Sequence, residues 1–256
     1  MLEGAVFEIY DKAGNTVDII KTDKNGRAVS KLLPLSRYTI REVQAPDYYS
    51  LNPTVINAYL EHEGQIVTFE VEDKSAITGV SIKKYGYNEV MPGQPIKYTF
   101  MEIANHSTVP LNSFYWRDTL PNQVVPTQLV TGTYNQNLYY KVVYMTNQSY
   151  GQYKTLADNL TTQRNYVLDM RPQTLGLAAN EKITEVMFVF GTVKAGFAQV
   201  ETPYLHGTVT NGLLNGSSFV NIADAGGLYN KQWIMHASRW LTTVYAQNIS
   251  LPKTGY

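Results

Sequence analysis

The stretch Ala5-Val6-Phe7-Glu8-Ile9-Tyr10 alternates apolar and polar residues and runs straight into a turn, Asp11-Lys12-Ala13-Gly14-Asn15. A period of two is that of a half-buried strand, not of a helix. Reading outward, Val17-Asp18-Ile19-Ile20-Lys21 repeats the pattern, and Asp23-Lys24-Asn25-Gly26 predicts a hairpin turn in which Asn-Gly supplies positive φ. Arg37-Tyr38-Thr39-Ile40-Arg41-Glu42-Val43 predicts a third strand and Ile66-Val67-Thr68-Phe69-Glu70-Val71 a closing one. After a short linker, residues 75–79, the same grammar resumes. Val80-Ser81-Ile82-Lys83-Lys84 leads through the turn Pro92-Gly93-Gln94-Pro95 to Ile96-Lys97-Tyr98-Thr99-Phe100, and later to Phe114-Tyr115-Trp116-Arg117-Asp118-Thr119-Leu120-Pro121. Residues 124–202, rich in Thr, Tyr and Asn, read as further strands and loops, with short helices expected at 158–164 and 175–181. No internal repeat stands out.

Composition narrows the class. The chain has 256 residues, enough for one large or two modest domains, and its 20 Tyr with many Thr and Val favour an all-β fold. Lys plus Arg and Asp plus Glu number 21 each, which leaves no net field to attract nucleic acid or anionic lipid. No apolar run approaches the length of a membrane span. Cysteine is absent and the four His are scattered (His62, His106, His206, His236), so disulfides are excluded and a zinc-type site is not expected. No cofactor is expected.

The first 73 or so residues resemble the Cna protein B-type domain, also called SpaA-like, a small β-sandwich of Gram-positive adhesins and pilins. The matching letters are L-x-G-A-x-F-x-I-Y-D at Leu2 to Asp11, T-D-x-N-G at Thr22 to Gly26, and Y-T-I-x-E-x-x-A-P at Tyr38 to Pro46. Two positions depart from the family pattern: Ser36 or Arg37 replaces the Gly before the Tyr strand, and Tyr48-Tyr49 replaces the usual G-Y. From Val80 to Pro121, and again at Phe219-Val220-Asn221-Ile222-Ala223, the chain resembles the larger Cna-like and Ig-like repeat domains of bacterial surface proteins. The resemblance implies two Ig-like β-sandwich domains in tandem, residues 1–75 and 76–246, followed by a flexible tail, 247–256.

That tail ends Leu251-Pro252-Lys253-Thr254-Gly255-Tyr256, preceded by the polar Ala246-Gln247-Asn248-Ile249-Ser250. It resembles the L-P-x-T-G sorting signal, at which a sortase cuts between Thr and Gly and joins the Thr carbonyl to a cell-wall or neighbouring-pilin amine. Leu251, Pro252, Thr254 and Gly255 would form the recognition motif, with Thr254 the acyl donor. Otherwise the Pro stiffens and the Gly turns an ordinary loop. The family's apolar span and basic tail do not follow the motif, and the opening Met1-Leu2-Glu3-Gly4 carries neither the basic n-region nor the apolar h-region of a signal peptide. The expectation is a piece of a longer secreted polypeptide, displayed on the cell wall or a pilus. The membrane would enter only through a C-terminal segment that is later removed.

Cna-like domains are locked by a self-forming isopeptide bond. A Lys amine attacks the side-chain carbonyl of Asn or Asp while a buried Glu or Asp relays protons. Burial favours the neutral amine and the protonated carboxyl that the reaction needs, and fixed proximity supplies the rest. In the first domain, Glu42 fits the helper position, on one strand face with Tyr38 and Ile40. Asp73, on one face with Phe69 and Val71, stands where the family carries its acceptor. The donor Lys would lie upstream of Gly4, on a first strand outside this sequence. Otherwise Glu42 is a solvated strand residue facing Arg41 or Lys21.

In the second domain the resemblance implies Lys84 as donor, Asp118 as helper and Asn221 as acceptor. Parity supports this choice: Val80, Ile82 and Lys84 share one face, and Phe219, Asn221 and Ala223 share another. Asn211 is a competing acceptor. Otherwise Lys83 and Lys84 are an exposed basic pair, Asp118 caps a turn and Asn221 bonds backbone.

The function implied is a cell-wall-anchored pilin subunit or adhesin stalk, not an enzyme. Its partners would be sortase, peptidoglycan or a neighbouring pilin, and a host or glycan ligand. No Y-P-K type motif is present, which favours a stalk or ancillary subunit over a polymerising shaft. No G-x-S-x-G, H-E-x-x-H or phosphate loop appears, and no carboxylate pair suited to glycoside cleavage stands out. The alternative is a carbohydrate-binding adhesin module, with Tyr139, Tyr140, Tyr144, Tyr150, Tyr153, Tyr48 and Tyr49 as candidate platforms. In β-sandwiches such tyrosines more often pack across strands.

Overall fold

A computed structural model describes residues 2–245. The sorting motif, Leu251 to Gly255, lies outside the described residues. The chain divides into two compact units, the first ending at Thr78 and the second beginning at Gly79. Every regular element among the described residues is a strand, as the period-two patterning and Tyr/Thr/Val content require.

The first unit has four strands: β1 (Val6–Tyr10), β2 (Thr16–Lys21), β3 (Arg37–Gln44) and β4 (Val55–Tyr59). They form one antiparallel sheet in the order β2-β1-β3-β4. One face buries Ile9, Tyr38 and Ala58, with Val17, Ile20, Leu33, Ile40 and Leu60 packed around them. So small a core leaves this unit only marginally stable. The Asn25-Gly26 turn forms, with Gly26 at φ 66° and the Asp23 carboxylate accepting the Asn25 and Arg27 amides. No hairpin follows it, however. Residues 27–36 form no strand, and Val29 and Leu32 stand in solvent.

The expected closing strand at residues 66–71 is likewise not formed. Ile66, Val67 and Phe69 are exposed, Ile66 at 88%. The alternation is present, but no described strand runs alongside to accept its ladder, and strand backbone requires such a partner. Only the end of the segment is held, by Asn52 Nδ2 donating to the Glu72 carbonyl, Ser50 N–H to the Lys74 carbonyl, and a bridge between Tyr49 and Ser75.

The second unit holds β5 (Val80–Tyr85), β6 (Glu89–Val90), β7 (Pro95–Asn105), β8 (Leu111–Thr119), β9 (Val124–Val130), β10 (Tyr139–Thr146), β11 (Lys154–Thr161), β12 (Val167–Asp169), β13 (Ile183–Val193), β14 (Tyr204–Val209), β15 (Ser218–Tyr229) and β16 (Gln232–Val244). Seven form one sheet, β11-β10-β13-β8-β15-β16-β6, and five another, β12-β9-β14-β7-β5. The Pro92-Gly93 turn between β6 and β7 closes with Gln94 N–H donating to the Met91 carbonyl and Gly93 at φ 75°, as a type II turn requires. The inner faces interdigitate over an aromatic core in which Trp116 stacks on Phe188 at 4.0 Å and meets Phe100 at 4.8 Å. The Trp116 indole donates to the Tyr134 hydroxyl, so its polar edge is satisfied.

Both expected helices are absent. Residues 158–161 belong to β11, which pairs along β10, and residues 175–181 form turns. Leu160 packs inward while its polar neighbours Asp158 and Asn159 face out, so tertiary packing overrides the local pattern.

Candidate covalent cross-link sites

Three strands build the buried polar cluster of the second unit. On β5 the inward residues are Val80, Ile82 and Lys84, while Lys83 points out and pairs with Glu102. On β8 the inward set ends at Asp118, and on β15 it includes Phe219, Asn221 and Ala223. Strands β8 and β15 are neighbours in register Ala223↔Asp118, which makes Asn221 the diagonal same-face neighbour of Asp118. Lys84 comes from the opposite sheet. Its amide N–H donates to Ser238 Oγ on β16, which fixes this strand against the seven-stranded sheet.

The Lys84 ammonium nitrogen lies 2.5 Å from Asp118 Oδ1, with both side chains essentially excluded from water at 0% and 1% exposure. The rings of Tyr98 and Phe100 flank it at 4.4 and 4.2 Å. Asn221 Nδ2 donates to Asp118 Oδ2 at 3.4 Å. Burial is the dominant influence on both ionisable groups. It lowers the Lys84 pKa to about 8 despite Asp118, and raises that of Asp118 despite Lys84. Each shift favours the uncharged form, an amine beside a carboxylic acid. A buried ion pair here gains little over its neutral form, because removing both charges from water offsets much of their attraction.

Asn211, the competing acceptor, sits exposed in a turn, with its side chain against Gly93. The structure joins Lys84 to Asn221 through Asp118 and leaves Asn211 apart. Two participants escaped the sequence reading: Tyr98 and Ser238. Tyr98 lies on the inward face of β7 with Ile96 and Phe100. Its alternation with Ile96 and Phe100 is visible in the sequence, but nothing there sets its hydroxyl apart from those of the other tyrosines.

In the first unit Glu42 is buried on β3 opposite Phe7, and its Oε2 accepts the Asn52 amide at 2.5 Å. The solvated alternative, a contact with Arg41 or Lys21, is not formed: Arg41 points to the other face, toward the Tyr10 ring. Glu42 Oε1 and Asp73 Oδ1 are both buried with no hydrogen-bond partner among the described residues. Burial raises both pKa values, and the Asp73 charge raises that of Glu42 further. Two electrostatically coupled carboxyls thus each keep one buried oxygen unsatisfied. Among the tyrosines proposed as platforms, Tyr140 and Tyr144 are core residues, and Tyr153 donates to Glu185; Tyr139 and Tyr150 are exposed.

Residues 1–75 match the SpaA prealbumin-like fold domain. The trypsin-resistant surface T6 protein of Streptococcus pyogenes serotype M6 is 45% identical over 51 residues, which are 20% of this chain and 10% of that protein. Among solved structures, BcpA, the major pilin subunit of Bacillus cereus, is similar at 18% identity with a TM-score of 0.33, over 95% of this chain and 65% of that one. The T6 backbone pilin of Streptococcus pyogenes serotype M6 follows at 11% identity and a TM-score of 0.32, over 95% and 62% of the two chains. The chain therefore spans less than two thirds of each of these solved pilins.

Proposed function

We propose that this chain is part of a cell-wall-anchored surface protein, a pilin subunit or adhesin stalk, stiffened by intramolecular isopeptide bonds. One observation carries the reading: a water-excluded Lys84–Asp118–Asn221 cluster whose members come from both sheets of one sandwich. In the neutral form the Lys84 amine attacks Cγ of Asn221. The Asp118 carboxylic acid gives its proton to Nδ2 and takes in exchange the one released from Nζ, the C–N bond of the side-chain amide breaks, and ammonia leaves. The product is an amide joining β5 to β15. The site reacts once, so the cluster builds a structure and turns nothing over.

The SpaA-type match of the first unit and its similarity to a streptococcal surface protein support the surface assignment. There Asp73 would be the acceptor and Glu42 the helper. The donor is a lysine on an extended segment outside these residues, with water as the leaving group. At the other end, Thr254 would be the sortase acyl donor, and peptidoglycan or a neighbouring pilin the amine.

The deciding experiment is intact mass. The purified chain should weigh one ammonia less than its sequence. Lys84→Ala, Asp118→Ala and Asn221→Ala should each restore the mass expected for the substituted sequence. A native mass equal to the uncrosslinked sequence sinks the reading.

A further inference from the structure

The outward face of the first unit gathers cations that its core does not use. On β3, Tyr38 and Ile40 turn inward, so by parity Arg37, Thr39 and Arg41 point the other way. On β1, Ile9 is core and Tyr10 faces out, and the register Tyr10↔Thr39 sets these two side by side. Beyond Tyr10 the chain turns through Asp11 and Lys12. Tyr10, Asp11, Lys12, Arg37, Thr39 and Arg41 line one concave space of about 490 Å³, within the usual size of a small-molecule site.

Charge in this space is one-sided. Among the described residues, Lys12, Arg37 and Arg41 take part in no ion pair. Arg37 donates to Asn57 Oδ1 at 3.2 Å and lies 5.9 Å from the centre of the Tyr59 ring, while Arg41 lies 5.8 Å from that of Tyr10. Both guanidinium forks therefore keep N–H groups for another partner. The nearby carboxylates are already engaged. Asp11 accepts the Ala13 and Asn15 amides and the Asn15 side chain. Glu8, the cross-strand neighbour of Arg41, accepts the Tyr10 hydroxyl. Lys plus Arg equals Asp plus Glu over the whole chain, at 21 each, so the cationic excess belongs to this face.

We propose that this space binds a carboxylate-bearing sugar. A guanidinium fork matches the two oxygens of a carboxylate. Thr39 and Lys12 offer a hydroxyl and an ammonium to ring hydroxyls, and the Tyr10 ring, its hydroxyl held by Glu8, supplies a fixed apolar wall for the C–H edge of the sugar. Charge complementarity selects an anion over a neutral sugar. The hydroxyl and the aromatic wall select a polyol body over a bare ion. The binding is reversible and independent of the Lys84–Asn221 bond, which lies in the other unit.

The test is a titration of the full chain followed by its amide NMR spectrum. Methyl glucuronide and a methyl sialoside are the acidic probes; methyl glucoside, which lacks the carboxylate, and inorganic phosphate are the comparisons. At least one acidic sugar should shift the Tyr10, Thr39 and Arg41 amides saturably, and both comparisons should bind at least tenfold more weakly. Arg37→Gln and Arg41→Gln should each weaken the acidic sugar about tenfold, the cost of one hydrogen bond to a charged group. Arg41→Lys, which keeps the charge and loses the fork, should weaken it too, while Lys83→Gln on the second unit should match the parent. Amide dispersion in the same spectra shows whether each variant is folded, and the parent titrations alone decide the ligand class where one is not. No saturable shift with either acidic sugar overturns the proposal. Equal affinity for phosphate reduces the face to a general anion patch and overturns it as well, as does undiminished binding by Arg37→Gln/Arg41→Gln.

Discussion

Asn221→Ala isolates the contribution of the staple, because it deletes the acceptor while leaving the Lys84–Asp118 pair in place. Lys84 and Asn221 lie 137 residues apart in the chain. On the chain-entropy account, closing a loop of that length removes about 17 cal/mol/K from the unfolded ensemble, or about 5 kcal/mol at 25 °C. Loss of the Asn221 donor to Asp118 adds about 1 kcal/mol. The second unit, of roughly 170 residues, has an unfolding entropy near 0.35 kcal/mol/K, so its melting temperature should fall by about 15 °C. Differential scanning calorimetry with intact mass on the same samples checks this. If the parent carries the ammonia deficit but Asn221→Ala melts within about 3 °C of it, the bond does not stabilise by constraining the unfolded chain.

The uncrosslinked Asn221→Ala protein should also reveal the Lys84 pKa. Burial holds Lys84 at about 8 in the folded state, against an ordinary 10.5. Between these values the unfolded chain binds more protons, so stability rises with pH across that window. Relative to Asn221→Ala/Lys84→Met, the gain from pH 8 to 10.5 should be a few kcal/mol by urea denaturation; a flat difference would mean Lys84 is not desolvated. In the first unit both carboxyl pKa values are raised, so the folded state binds more protons than the unfolded one just above the ordinary carboxylate range. Stability should fall as pH rises through the folded values, and Asp73→Asn should raise it at pH 7. A lysine-bearing extended peptide should link covalently to Asp73 with loss of one water, as read by mass, and Glu42→Gln should abolish the reaction. A class A sortase with a Gly-bearing amine should release Gly255-Tyr256 and leave the amine on Thr254; no product beside a reacting control peptide would remove the anchoring reading.

Strand identity and side-chain parity were legible because both follow from a period of two. That rule placed Lys84 inward and Lys83 outward and brought Glu42 and Asn221 to buried faces, while Asp118 followed from the family resemblance. What parity does not encode is which strands become neighbours. Residues 66–71 carry as clean an alternation as β1, yet form no strand, because a ladder is a property of two segments and the pattern describes only one. Residues 158–164 failed in the opposite direction. A short helix was expected there, but a place on the edge beside β10 decided for extended backbone.

Tyr98 shows a third kind of limit. Its burial follows from the alternation of Ile96, Tyr98 and Phe100, but nothing in that pattern shows that its hydroxyl is left without a hydrogen bond. Asn221 could have presented either its oxygen or its nitrogen to Asp118. With the nitrogen there, Oδ1 is buried without a donor among the described residues. Glu42 Oε1 and Asp73 Oδ1 are orphaned in the same way. Both are acceptors or acids with no donor between them, and the group that would complete that pair is a cation or an amine.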